Sequence, residues 1–168
     1  MKVLILGYAQ HGKDTVAELI AEYTSLILKS SSYIATKLII FPQLKDEYKY
    51  LTIQECYEDR IHHRERWFNL IREYNKEDAA KLAKYVLKKS DIYVGMRSKI
   101  ELKQSKHLFD LIIWVDATQR IPRESYTSCT VSALNANIII DNNSTLSELQ
   151  MNVYNFCKNW LFNFMIIK

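Results

Sequence analysis

"GYAQHGKDT", residues 7–15, follows the apolar run Val3–Leu6 and precedes Val16, Leu19, Ile20 and Tyr23, which recur at helical spacing. The stretch is therefore a strand-to-helix turn that holds two glycines and a lysine. Gly7, Gly12 and Lys13 satisfy the spacing G-x-x-x-x-G-K. In that pattern glycines let backbone N–H groups turn inward around phosphates, the helix start favours negative charge, and the lysine reaches the terminal phosphates. The chain has only 3 glycines, and the third, Gly95, ends another strand on the edge where ligands bind. Phosphate contact is thus assigned to Gly7, Tyr8, Ala9, Gln10, His11, Gly12, Lys13, Asp14 and Thr15. His11 reads as a loop side chain rather than a base. Asp14 stands where a Ser or Thr hydroxyl usually binds magnesium, and the hydroxyl is displaced to Thr15. The Asp14 carboxylate either binds the cation or steadies the first helical turn against the macrodipole.

Outward from this loop, short apolar runs alternate with helical patterns. Lys2 to Leu6, Leu26 to Leu28, Ile92 to Gly95, Leu111 to Asp116 and Ile138 to Asp141 give five strand candidates. Between them, Ile34 to Phe41 looks helical until Pro42 stops it, and Thr52 caps a long helix to about Tyr74. On that helix Tyr57, Ile61, Phe68 and Ile71 share one face, and Arg64 lies on it too. Asn75 with Asp78 resembles a further helix start. Another helix begins near Ser98, and a last one begins at a Thr145–Glu148 capping box with Leu146, Leu149, Val153, Phe156 and Trp160 as its apolar stripe. Such alternation predicts a three-layer α/β/α fold around a five-stranded parallel sheet, with ligands at the carboxyl ends of the strands. Residues 117–137 form one long polar connection, "RESYTSCTVS" within it, of the kind that makes a short lid.

The 168 residues suffice for a single domain over 1–168 and not for two. Hydrophobic residues at 48% and charged residues at 25% exclude disorder. A net charge of +4 suits phosphate-bearing partners but falls short of a dedicated nucleic-acid stripe. Cys56, Cys129 and Cys157, odd in number and widely spaced, argue against a disulfide framework or a zinc site. Met1 leads into the first strand without the regions of a secretory signal, and the apolar tail "WLFNFMIIK" is far below the roughly 20 residues that cross a bilayer. A cytoplasmic protein is expected, with no membrane partner. The tail reads as a buried final helix or as an oligomer contact, which would suit a homodimer.

With "GYAQHGKDT", "IYVGMRSKIE", "DLIIWVDA" and "NIIIDNNSTLSEL" in view, most of the chain resembles the phage deoxynucleoside monophosphate kinases and their relatives among P-loop nucleotide kinases, including dephospho-coenzyme A kinases. The GKDT form of the loop is a trait of that family. The resemblance implies a P-loop NTPase fold, ATP and Mg²⁺, a host cytoplasm if phage-encoded, and acceptor-binding helices over residues 31–75. It implies that Arg97 holds substrate phosphate and that Arg120 and Arg123 are lid arginines that close over the transferring phosphoryl group; from the residues alone the last two read equally as solvated loop arginines. Val94 stands where those kinases carry an acidic residue, which passes magnesium support to Asp14 or Asp116.

The residues themselves agree with part of this. Arg97, just past Gly95, suits bidentate phosphate binding, or alternatively pairs with Glu101 one helical turn on. Asp116 closes the apolar strand "LIIWVD" either as a metal ligand or as the start of a turn. In "DRIHHRERWF", Arg64 on an apolar face calls for an anion or an acidic partner and is read as substrate-facing, while Arg60 and Trp67 border that face and fit a phosphate and a stacked base. His62 is a solvated side chain. Ser31 and Ser32 of "KSSS" either bond the acceptor or cap a helix. "NKED", residues 75–78, spells a guanine-reading motif of GTPases but joins two helices instead of following a strand, and is rejected.

The expected activity is transfer of the ATP γ-phosphoryl group to a nucleotide, a deoxynucleoside monophosphate first. The alternatives are a kinase acting on the hydroxymethyl group of 5-hydroxymethyluracil in phage DNA, and a non-catalytic nucleotide-binding module.

Overall fold

Val3, Ile5, Leu4 and Leu6 alternate sides along strand β1 (Val3–Leu6), and all four are buried, so both faces of this strand must be covered. A computed structural model of the chain describes residues 1–126 and 129–161. In it, β1 lies between β2 (Ile92–Val94) and β3 (Leu111–Asp116), and β4 (Ile138–Asp141) completes a parallel sheet in the order β2-β1-β3-β4. Register pairs Val3 with Ile92 and with Leu111, and Asp116 with Asp141. On one face Val3, Ile5, Ile113 and Val115 meet Val16 and Ile20 of α1 (Lys13–Tyr23) and Leu149 and Val153 of α8 (Leu146–Phe156). On the other, Leu4, Leu6, Ile112 and Trp114 share a core with the remaining helices. The chain is thus an α/β protein whose four parallel strands are flanked by helices. Among the described residues no helix is long and apolar enough to cross a membrane.

The sheet has four strands where five are expected. Leu26 to Leu28 contributes only a single parallel bridge, Leu28 to Ile92. The segment is tied by side chains instead: Asp91 Oδ2 accepts from the Ile27 N–H at 2.8 Å, and Ser90 Oγ accepts from the Lys29 N–H at 3.1 Å. Two residues later Ser30 caps α2 (Ser31–Ala35), accepting from the Tyr33 N–H, and the backbone turns away before a ladder can form.

Pro42 does not stop the preceding helix. Residues Thr36–Ile40 widen into a π turn, and α3 (Phe41–Tyr48) starts with proline in its first turn, where a missing N–H costs little. The long helix expected from Thr52 is broken into α4 (Ile53–Glu58) and α5 (Arg64–Tyr74), with a 3₁₀ turn over Asp59–Ile61. Asp59 holds the break, accepting from the Tyr50 hydroxyl at 2.5 Å and pairing with His63 Nε2 at 3.0 Å. The Tyr50 hydrogen bond lowers the Asp59 pKa. Consequently Ile61, assigned to an apolar face, is exposed. Asn75 does not open a helix; it follows the end of α5, and α6 spans Lys81–Leu87. Ser98 does cap α7 (Lys99–Ser105), and Thr145 accepts from the Glu148 N–H at the start of α8. The buried stripe of that last helix runs Leu149, Val153, Cys157 and Leu161, whereas Leu146 and Trp160 are exposed. The rest of the apolar tail, residues 162–168, lies outside the described residues. All three cysteines are free and buried.

Glu101 on α7 is buried in the core, with Oε1 unpartnered among the described residues. Burial pushes its carboxyl up to about 7, against the opposing pull of hydrogen bonds with Tyr93 and Asn75. Asn75 is itself fixed, accepting from the Leu82 N–H at 3.1 Å. Since the folded state retains a proton that the unfolded chain releases near its ordinary value, this group favours folding at low pH. That contribution is lost as pH rises through about 7. Urea melts of Glu101→Gln against wild type from pH 5 to 8 should therefore diverge, the variant gaining on the order of 3 kcal/mol relative to wild type across the window.

Candidate functional site

The turn from β1 to α1 is held from one side. The Asn142 side chain, just past β4, donates to the His11 carbonyl at 3.0 Å and fills the space that a Gly12 side chain would need. Gly12 adopts φ 86°, in the left-handed region that favours glycine. His11 is completely buried, and its Nδ1 accepts from the Ala117 N–H at 3.1 Å, which joins the loop to the root of residues 117–137. The Tyr8 ring meets His11 and Trp114 edge to face. Among the described residues no side chain caps the first turn of α1. Its leading N–H groups are thus a pole of positive potential at the loop.

Lys13 lies on the open side. Its Nζ donates to the Tyr8 carbonyl at 2.6 Å, and a Cβ at Gly95 would stand 4.0 Å from its Cε, so the end of β2 borders the lysine. Burial, then the charge of Arg97, pulls its pKa down to about 8, while Asp14 and Glu124 oppose the shift. Beside it opens a cavity of about 730 Å³, within the range that accepts a small-molecule ligand. Its lining includes Ala9, Gln10, Lys13, Asp14, Ser31, Ser32, Arg60, Arg64, Trp67 and Arg97.

Arg97, Arg64 and Ala9 converge on one carboxylate, that of Glu124. Glu124 Oε2 accepts from the Ala9 N–H at 3.0 Å, Oε1 pairs with Arg97 Nη1, and Arg64 Nη1 is 3.9 Å from Oε1. The Glu124 side chain is only 11% exposed. Arg97 therefore pairs with Glu124 and not with Glu101, whose side chain lines the same cavity and is held by Tyr93 and Asn75. The residue arrives on the 117–137 connection, which Thr130 pins by donating its N–H to the Arg97 carbonyl at 2.9 Å.

The other assigned residues divide. Ser31 Oγ accepts from the Val94 N–H at 3.0 Å, and Ser32 contacts Ser30 at 3.2 Å, so both hydroxyls brace the wall they line. Arg60 lies over the Tyr57 ring at 3.9 Å and donates to the Tyr57 carbonyl. Trp67 is buried against the cavity. Asp116 does not line it, and accepts from Thr118 Oγ1 at 3.1 Å as a turn residue does. Arg120 is drawn to the far side, where its guanidinium holds the Asn142 carbonyl at 2.9 and 2.7 Å. Arg123 is exposed. Among the described residues no group of three or more His, Cys, Asp or Glu could hold a metal ion. Glu124 and Asn142 escaped the sequence reading: one carboxylate in a polar loop and one amide after "IIID" carry no local signal of contact with residues over a hundred positions away.

Compared with models of known protein families and with the sequences of characterised proteins, the chain gives no match.

An anion arriving at Lys13 adds negative charge beside its ammonium and raises its pKa, so affinity should be greatest below about pH 8 and fall as pH rises beyond it. Calorimetric titration with inorganic tripolyphosphate from pH 7 to 9.5 should lose up to roughly tenfold per pH unit. Lys13→Arg, which stays charged, should flatten the curve.

Proposed function

We propose that the chain is a small P-loop kinase that transfers the γ-phosphoryl group of ATP to a nucleotide, a deoxynucleoside monophosphate before any other acceptor. The observation that carries this reading is the convergence on a single anion of a loop N–H and two cavity arginines. Ala9 belongs to the turn suited to a triphosphate, whereas Arg97 and Arg64 border a cavity of nucleotide size. The fold is compatible, placing the loop at the carboxyl end of β1 between β2 and β3.

On this reading the loop amides and Lys13 orient the triphosphate, and Arg97 with Arg64 holds the acceptor phosphate. Trp67, with the apolar wall around it, receives the base. An acceptor phosphate oxygen attacks the γ-phosphorus. The new P–O bond forms as the bond to the β-bridging oxygen breaks, and the electron pair leaves on ADP. A phosphate acceptor is already ionised, so no side-chain base is needed, and rate comes from positioning and charge neutralisation. Asp14, a carboxylate in the first turn of α1 that lines the cavity, fits an Mg²⁺ that takes few protein ligands and keeps phosphate oxygens and waters for the rest. Bound magnesium would neutralise charge on the phosphate oxygens. Asp116, absent from the cavity wall, does not suit that role.

Labelled ATP incubated with each deoxynucleoside monophosphate, and with duplex DNA bearing 5-hydroxymethyluracil, should yield a labelled nucleoside diphosphate. Label in the DNA would move the acceptor to the polymer, and ATP binding without transfer would leave a nucleotide-binding module. Lys13→Ala should abolish turnover with its melting temperature kept, and Arg97→Ala should cost on the order of 10²–10³ in kcat/KM. Asp14→Asn should raise the magnesium concentration needed for half-maximal rate.

A further inference from the structure

The Glu124 carboxylate occupies a position built for another anion. Three groups from three separate parts of the chain reach it: the Ala9 N–H of the loop after β1 at 3.0 Å, Arg97 after β2, and Arg64 at the start of α5 at 3.9 Å. Removing guanidinium groups from water without a counter-ion is costly, and a carboxylate offers the same fork of acceptor oxygens as two oxygens of a phosphate. Glu124 also acts electrostatically on Lys13, a third cation beside the two arginines. An incoming phosphate and the Glu124 carboxylate cannot share these donors, since like charges at that separation repel strongly.

The geometry points to Glu124 as an internal competitor that stands in for a phosphoryl group, closing the anion site until a polyphosphate displaces it. The assignment rests on the phosphate-site reading above and adds a position to it. Ala9, Arg97 and Arg64 all line the cavity beside the loop, so the position they share is one where donor and acceptor phosphates would meet.

The test is calorimetric titration of the full chain with inorganic tripolyphosphate, without metal, comparing wild type, Glu124→Gln and Glu124→Asp. Glu124→Gln should bind roughly tenfold tighter, the equivalent of one charge-assisted contact no longer in competition. Glu124→Asp, one methylene shorter, should fall between, and it carries the comparison alone if the glutamine variant does not fold. Affinity unchanged or weakened in the variants overturns the inference, because a carboxylate that positions Arg97 for the ligand would be missed and not outcompeted. If wild type phosphorylates a nucleotide while the variants bind no tighter, the competitor fails and the kinase reading stands. If the variants bind more tightly and wild type phosphorylates no acceptor, the competitor stands and the kinase reading fails. No binding of tripolyphosphate by any of them overturns both.

Discussion

Gly7 lies so close beneath the end of β3 that a Cβ on it would come within 2.7 Å of the Val115 carbonyl oxygen. That approach fixes where the chain leaves β1, and the geometry of the loop depends on it. From there the turn is pinned at His11 by Ala117 and by Asn142, all contacts from the β3 and β4 side of the sheet. The opposite flank, towards β2, is left to Lys13 and the cavity. One side of the loop is thus built into the protein and the other opens on the cavity, a division that glycine at positions 7 and 12 permits because no side chain intervenes.

The cavity concentrates positive charge in partly buried surroundings. Lys13, Arg64 and Arg97 approach one another closely enough for Arg97 to depress the lysine, and the resting structure balances them with Asp14 and Glu124. Partly buried cations this close together are stabilised by an anion among them. The break between α4 and α5 serves the same arrangement, since it places Arg64 at the first turn of a new helix with its side chain half exposed towards Glu124. Had the helix continued as its periodicity suggests, the Asp59, Tyr50 and His63 contacts would have had no place.

The loop and the sheet around it were legible because their signals are local. Gly7, Gly12 and Lys13 sit at fixed spacing, and the strands declare themselves as apolar runs with covered faces. Four of the five expected strands form ladders. The run at Leu26 to Leu28 did not, because the capping tendency of Ser30 and the side chains of Asp91 and Ser90 compete with ladder bonds, and apolar content alone does not register that competition. Helix boundaries between residues 36 and 81 were hidden for a related reason: the π turn before Pro42 and the Asp59 break depend on partners brought in by tertiary contact. Of the assigned site residues, those flanking the loop and those on α2 and α5 share one cavity. Arg120 and Asp116 are engaged elsewhere, by Asn142 and by Thr118. Glu124 and Asn142 were invisible because their partners lie far along the chain.

The thiols offer a last consequence. Cys56, Cys129 and Cys157 are free and enclosed, and burial raises all three above the ordinary thiol range, Cys157 to about 11. Thiolate is the reactive form, so a maleimide or disulfide reagent meets a native fold that is chemically silent. Labelling then counts excursions from that fold. Cys129, whose N–H donates to the Ser125 carbonyl one residue from Glu124, reports such excursions closest to the Glu124 contacts.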